Sequence, residues 1–156
     1  MSPPALRLYA GPAARAHLAE HGLRAADVRV VAAAAGGPKG LVLGAMDRFL
    51  FGAWLAEAPQ TVHLVGASIG AWRMATAVLA DPRAGFERLT REYIAQTYPV
   101  PPGRRLPTAA QVSHDFDEAL RGFFDGRIEA LLAHPRWRLH VVASRGRHLL
   151  GLIRTT

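Results

Sequence analysis

The stretch "TVHLVGASIGAWRMATAVLA" (61–80) changes its character partway along, at a turn that carries two glycines. Residues 61–67 are mostly β-branched or apolar and predict a buried strand. Residues 69–80 have a helical pattern, which Asp81 and Pro82 end. Because a strand that passes through a tight turn into a helix is the repeating unit of parallel sheets, this stretch predicts an α/β fold.

The same alternation recurs on both sides of this stretch. "DVRVVAAAA" (27–35) and "WRLHVVAS" (137–144) predict two further strands. Helices are predicted over 13–22, 39–57, 83–96, 113–122 and 126–133, and a proline-rich loop over 98–107. Strands that alternate with helices imply βαβ units and a parallel sheet covered by helices on both faces.

The last residues, "RGRHLLGLIRTT" (145–156), contain no helix long enough to cover the third strand. Three strands are few for an α/β domain. We therefore expect residues 1–156 to be the N-terminal part of a longer domain, with the loop 98–107 inside it. The expected fold class is a three-layer α/β sandwich with a mostly parallel central sheet.

The composition excludes several classes of function. Half of the 156 residues are hydrophobic, and the net charge is +7. The arginines are scattered rather than clustered, so we predict no nucleic-acid partner. The chain has no cysteine, which excludes disulfides and thiolate metal sites. No group of His, Asp and Glu has metal-ligand spacing, and we predict neither a metal nor a cofactor.

The sequence also bears on location. The N-terminal residues contain no apolar core typical of a signal peptide, and no stretch reaches the eighteen or so apolar residues that a membrane span needs. A cytoplasmic location is predicted, with peripheral membrane contact left open.

The turn at 66–70 fits the nucleophile-elbow pattern G-x-S-x-G, with Gly66 and Gly70 two residues on either side of Ser68. Side chains at the two glycine positions would collide in so sharp a turn. The serine would then project from the carboxyl edge of the sheet at a helix N-terminus, where developing negative charge is favoured. The alternative is a tight turn in which Ser68 caps the helix.

A second glycine-marked turn, "AAGGPKG" (34–40), also lies between a predicted strand and a predicted helix. It holds Lys39, the only lysine among 19 lysines and arginines. Gly36 and Gly37 leave backbone N–H groups uncovered. Since adjacent strands lie about 4.8 Å apart, both turns can reach one substrate, with Ser68 as nucleophile and the glycine amides as oxyanion donors. The alternatives are a phosphate-binding turn or close helix–strand packing.

Together, "AGGPKG" (35–40) and "GASIGA" (66–71) resemble the patatin-like phospholipases, which are serine acyl hydrolases, and "LHVVAS" (139–144) is similar to a central strand of their fold. The resemblance runs through most of the chain. The family motif G-x-G-x-x-G, with a basic residue before its last glycine, matches at Gly37, Lys39 and Gly40. Ala35 replaces the first glycine.

The resemblance implies a Ser–Asp dyad without histidine, an acyl-ester or lipid substrate, and Ser68 as the nucleophile. It also implies an oxyanion hole at Gly36, Gly37, Lys39 and Gly40, with Lys39 orienting the loop. The family's aspartate lies in an Asp-Gly-Gly or Asp-Gly-Ala motif far beyond the serine, and we expect it after residue 156. "FFDGRIEA" (123–130) contains an Asp-Gly pair, but we interpret its Asp125 as a helix-boundary residue.

Other functions stay open. An ordinary hydrolase triad could combine Ser68 and Asp125 with a histidine, the candidates being His134, His140 and His148. A short-chain reductase is disfavoured, because the only lysine precedes the "VGASIGA" turn. A non-catalytic module that binds lipid or a partner is favoured if 156 residues is the complete product.

Three other side chains receive structural interpretations. Arg73 could contact an anionic head group, but a single arginine on a helix is expected to face solvent. Trp54 and Trp72 are expected to be packing residues rather than lipid anchors.

Overall fold

Three parallel strands form the centre of the fold. The computed structural model of the chain describes residues 7–103 and 105–144. The strands are β1 (Val30–Ala33), β2 (Val62–Ala67) and β3 (Trp137–Val142), and they lie in the order β1-β2-β3. The predicted α/β class and all three predicted strands are confirmed, although each strand is shorter than its predicted range.

The helices follow the predicted order as well. They are α1 (Pro12–His21), α2 (Gly44–Phe49), α3 (Ile69–Ala77), α4 (Pro82–Ala95), α5 (Ala109–Phe124) and α6 (Ile128–Leu132). In place of the single helix predicted over 39–57, the structure has a helical segment in which three types of helix follow one another. A 3-10 helix over Gly37–Leu43 leads into α2, and a π-helical turn over Leu50–Trp54 follows it. A 3-10 turn at Ala25–Asp27 precedes β1.

Capping side chains set where the two longest helices begin. The Asp81 carboxylate accepts a hydrogen bond from the Ala84 N–H (3.0 Å), and Pro82 occupies the first turn of α4. The Thr108 hydroxyl accepts one from the Gln111 N–H (3.2 Å) at the start of α5. Each bond satisfies a backbone donor that lacks a partner within the helix. The predicted loop 98–107 lies between these two helices.

One face of the sheet carries the core. Along β2 the side chains alternate, with Val62 and Leu64 fully buried and His63 exposed. The buried face packs against α3 and, beyond it, against aromatic side chains. The large side chains of the core that are most completely buried include Phe51, Phe86, Phe123, Leu55, Leu64 and Met74. Trp54 and Trp72 pack against this core, so the prediction that they are packing residues is confirmed.

The opposite face of the sheet is exposed in the described part of the chain. Val30 is 57% exposed, and His63 and His140 lie side by side on β2 and β3 with their ring nitrogens 2.8 Å apart. Helices therefore cover one face rather than both within residues 7–103 and 105–144. The helical layer predicted over the second face stays a prediction. None of the described helices combines the length and the apolar character needed to cross a membrane.

Candidate active site

The backbone at Ser68 has a conformation that amino acids other than glycine rarely adopt. Its φ is 53° and its ψ is −127°, and Ser68 is the one non-glycine residue of positive φ within the described ranges. This combination is the mirror image of the extended conformation, which glycine adopts readily. Strain of this kind costs about 1–3 kcal/mol and persists where the surrounding structure imposes it.

Two glycines allow this strained turn to form. A Cβ added at Gly66 would lie 2.5 Å from the Gly70 carbonyl oxygen and 2.6 Å from the Ala71 Cα. A Cβ added at Gly70 would overlap the Ala33 carbonyl oxygen, with the carbonyl carbon 2.6 Å away. The expectation that side chains at both glycine positions would collide is therefore confirmed.

The Ser68 hydroxyl is exposed and does not cap α3. The Ala71 and Trp72 N–H groups donate to the Ser68 backbone carbonyl (2.9 and 3.2 Å), not to its side chain. The alternative interpretation, in which the serine serves as a helix cap, is wrong. Within the described residues the hydroxyl makes no hydrogen bond, so it is accessible to a reactant.

The strain at Ser68 leads to a stability prediction. We expect Ser68→Gly to be more stable than Ser68→Ala by about 1–2 kcal/mol, because glycine relieves the unfavourable φ and alanine does not. Urea unfolding of the two variants measures the difference. Ser113, an exposed residue inside α5, is the matched control: there glycine should be less stable than alanine, by about 1 kcal/mol. If the glycine variant is less stable than the alanine variant at position 68 as well as at position 113, the backbone of Ser68 is not strained.

The glycine-rich turn presents free backbone donors. Gly37 has a φ of 54°, and the Lys39 N–H donates to the Gly36 carbonyl (3.3 Å), which closes the first turn of the 3-10 helix. The Gly36 and Gly37 N–H groups have no acceptor in the described part of the chain. The Lys39 side chain is exposed and forms no ion pair with another described residue.

The structure brings the two glycine-marked turns to the same edge of the sheet. Strands β1 and β2 are parallel neighbours, with Ala33 opposite Gly66, so both chains leave the sheet at their carboxyl ends side by side. The turns also touch: a Cβ at Gly40 would lie 2.9 Å from the Ile69 Cγ2. Gly40 therefore permits close packing of the 3-10 helix against the residue that follows Ser68.

The sequence interpretation missed a buried ion pair beneath this contact. The Arg73 guanidinium donates to both carboxylate oxygens of Asp47, at 2.6 and 2.7 Å. Asp47 is 2% exposed and Arg73 is 7% exposed. The prediction that Arg73 faces solvent is wrong, because the buried carboxylate on α2 pairs with it. A sequence signal existed: Asp47 and Arg73 each lie in a mostly apolar helical stretch.

The start of α3 supplies further donors, as the predicted position of Ser68 at a helix N-terminus implies. The first N–H groups of a helix have no partner within it, and the Ile69 and Gly70 N–H groups are in this position. They lie directly after Ser68, at the positive end of the helix dipole. The Ile69 N–H can therefore act together with the Gly36 and Gly37 N–H groups on a developing negative charge near the serine.

Asp125 does not take part in this arrangement. It ends helix α5, and its own carboxylate accepts a hydrogen bond from the Gly126 N–H (3.0 Å). The prediction that Asp125 is a helix-boundary residue is confirmed. Within the described residues, no carboxylate is hydrogen-bonded to Ser68.

The two candidate histidines that the structure describes, His134 and His140, form hydrogen bonds with groups other than Ser68. The Nδ1 atom of His134 accepts backbone N–H groups at the start of β3, and burial, with nearby arginines, lowers the pKa of this imidazole below its usual value. His140 is hydrogen-bonded to His63 on the exposed face of the sheet. Neither His134 nor His140 contacts Ser68, and His148 lies outside the described residues.

Two cavities differ in their relation to the elbow. The larger, about 600 Å³, is lined by Val78, Leu79 and Leu131, at the opposite end of α3 from Ser68. The smaller, about 230 Å³, is lined by Trp72 and Tyr93 and lies beside the glycine-rich turn. Of the two, the smaller cavity is the one whose lining residues reach both glycine-marked turns.

The fold and the elbow place the chain among α/β proteins with a strand–serine–helix turn at the carboxyl edge of a parallel sheet. A scan against protein-family models and searches of curated proteins and solved structures found no match for the chain. The patatin-like interpretation accordingly depends on the residues of the two turns and is developed below as a proposal.

Proposed function

We propose that this chain is the N-terminal part of a patatin-like serine acyl hydrolase, with a three-layer fold, that cleaves lipids or related acyl esters. The observation that carries the proposal is the strained backbone of Ser68, whose exposed hydroxyl follows β2 at the same sheet edge where the glycine-rich turn, with its uncommitted amides, follows β1. Strain of this kind is concentrated at functional sites. The proposed location is cytoplasmic, with peripheral contact at a membrane that supplies the substrate.

In the proposed reaction the Ser68 Oγ bonds to the acyl carbonyl carbon, and its proton passes to a general base. The Gly36, Gly37 and Ile69 N–H groups donate to the oxyanion, and each such donor contributes about 2.7–4 kcal/mol to the stability of the transition state. The C–O bond of the ester then breaks, and the leaving alcohol takes the proton. Water hydrolyses the acyl-enzyme and regenerates the serine.

Lys39 and Gly40 support the oxyanion donors in this proposal. Gly40 lets the 3-10 helix approach Ile69 closely, which keeps the turn beside the nucleophile. The Lys39 ammonium is the one lysine of the chain and adds positive charge at the mouth of the site. Both features favour an anionic intermediate over a neutral substrate.

The general base of the proposed dyad is an aspartate that follows residue 156, as the family resemblance implies. Asp125 is already engaged as a helix-end residue, and Asp47 is paired with Arg73. The exposed face of the sheet, which carries Val30 and His63, offers a surface on which the remaining layer would pack.

An active-site probe tests the proposal. The full-length protein should react with a fluorophosphonate probe, and Ser68→Ala should abolish the labelling, because the probe bonds covalently to an activated serine. Ser113→Ala, at an exposed serine of α5, is the control and should label like the parent. Residues 1–156 alone should show negligible ester turnover.

The possible outcomes separate the candidate functions. Labelling that persists in Ser68→Ala would overturn the assignment of the nucleophile. No labelling of the folded full-length protein would favour the non-catalytic module that binds lipid or a partner. Robust esterase activity of residues 1–156 would contradict the proposed location of the acid.

A further inference from the structure

A small apolar cleft between α3, α4 and α5 opens next to the elbow. Its volume is about 230 Å³, and the side chains that form most of its wall are Trp72, Leu89, Tyr93, Phe116, Ala119 and Phe123. Three helices thus leave a gap that their own side chains do not fill. The wall is aromatic and aliphatic, which suits an apolar occupant.

Two contacts connect this cleft to the candidate active site. Trp72 lies in the first turn of α3, and its backbone N–H donates to the carbonyl of Ser68, the residue that precedes the helix (3.2 Å). Tyr93 reaches the other turn: its hydroxyl oxygen would lie 3.9 Å from a Cβ at Gly37. Trp72 and Tyr93 thus each connect the wall of the cleft to one of the two turns.

The charges around the cleft favour an uncharged occupant. Glu92 is the one charged residue in its wall, and the Arg88 guanidinium already pairs with this carboxylate (2.6 Å). No cation lines the cleft in the described part of the chain. An anionic head group would therefore find no partner here, whereas an alkyl chain gains from burial against Trp72 and Phe116.

We propose that this cleft binds the acyl chain of the substrate and selects esters of medium-length acids. The inference rests on the proposed function of Ser68. If each CH₂ group takes about the space of one water molecule, roughly 30 Å³, the cleft holds about seven or eight carbons. Acyl chains near this length fill the cleft, shorter ones leave part of it empty, and longer ones extend into solvent.

A series of alkyl fluorophosphonates tests this selection on the full-length protein. We expect the octyl probe to label Ser68 at least about tenfold faster than the ethyl probe, with little further gain for hexadecyl. Ala119 is exposed on α5 and lines the cleft, so Ala119→Phe adds a ring that enters the cleft without disturbing the core. This variant should lose the preference for octyl and keep the ethyl rate.

The control is Ala130→Phe, the same substitution at an exposed helical position that lines the larger cavity. It should keep the preference for octyl. Far-UV circular dichroism checks that both variants fold. The proposal is overturned if Ala119→Phe keeps the preference for octyl, or if Ala130→Phe removes it.

A second readout does not depend on the chemistry of Ser68. Octanol binding to the Ser68→Ala variant, followed by tryptophan fluorescence, should weaken at least about tenfold when Ala119→Phe is added and stay unchanged with Ala130→Phe. If no probe labels the protein but octanol binding responds to the two variants as expected, the proposed hydrolase function is wrong and the cleft still binds an alkyl chain. If the probes label Ser68 at rates that do not depend on chain length, the cleft does not select the acyl chain, and the proposed hydrolase function still stands.

Discussion

Asp47→Ala is expected to destabilise the protein by about 3–5 kcal/mol, because it leaves the Arg73 guanidinium buried without a counter-charge. The pair links α2, which continues from the glycine-rich turn, to α3, which begins directly after Ser68. The Arg73 Cδ would also lie 3.6 Å from a Cβ at Gly40, directly under the contact between the turns. Urea unfolding, monitored by circular dichroism, gives the change in the free energy of unfolding.

Two comparisons isolate the effect of burial. Arg121→Ala removes an exposed ion pair with Asp117 (2.9 Å), and we expect little change in the free energy of unfolding because water screens this pair. The double variant Asp47→Leu with Arg73→Met removes both buried charges and should recover most of the lost stability. A loss below about 1 kcal/mol in Asp47→Ala would show that the two charges are not paired in a buried site.

Much of the fold could be predicted because its signals are local. Pro59, Asp81 and the glycines at the turns mark where elements begin and end, and hydrophobic spacing distinguishes the strands from the helices. The geometry of the segment 37–54 could not be predicted in this way. Its change from 3-10 to α to π-helical hydrogen bonding depends on how the segment packs, which residue spacing does not encode.

The candidate site likewise has residues that a local motif indicates and features that only the packing of the helices creates. Gly66, Ser68 and Gly70 lie within one motif of five residues, so the sequence itself indicates their relationship. Arg73 was misjudged because its partner is 26 residues away and is brought close by the packing of two helices. The cleft beside Trp72 likewise exists only where three helices meet, and no spacing in the sequence predicts its volume.

Gly70→Ala is expected to cost about 3 kcal/mol or more, because the added Cβ meets backbone rather than a side chain that can move aside. The obstructing atoms are the Ala33 carbonyl group and the Ala34 carbonyl oxygen at the end of β1. This overlap is removed only if α3 moves away from β1. The free energy of unfolding from urea titrations measures the cost, and Ser68-dependent probe labelling of the full-length protein should fall with it.

Gly122→Ala supplies the control, since this glycine lies in α5 with no atom within 4 Å of its added Cβ. That substitution should stabilise the protein by about 0.5–1 kcal/mol, as expected for glycine replaced inside a helix. A Gly70→Ala variant as stable as the parent would mean that α3 does not approach β1 so closely. The same approach brings the start of α3 close to the end of β1, where the glycine-rich turn begins, so stability and the proposed chemistry both depend on this backbone contact.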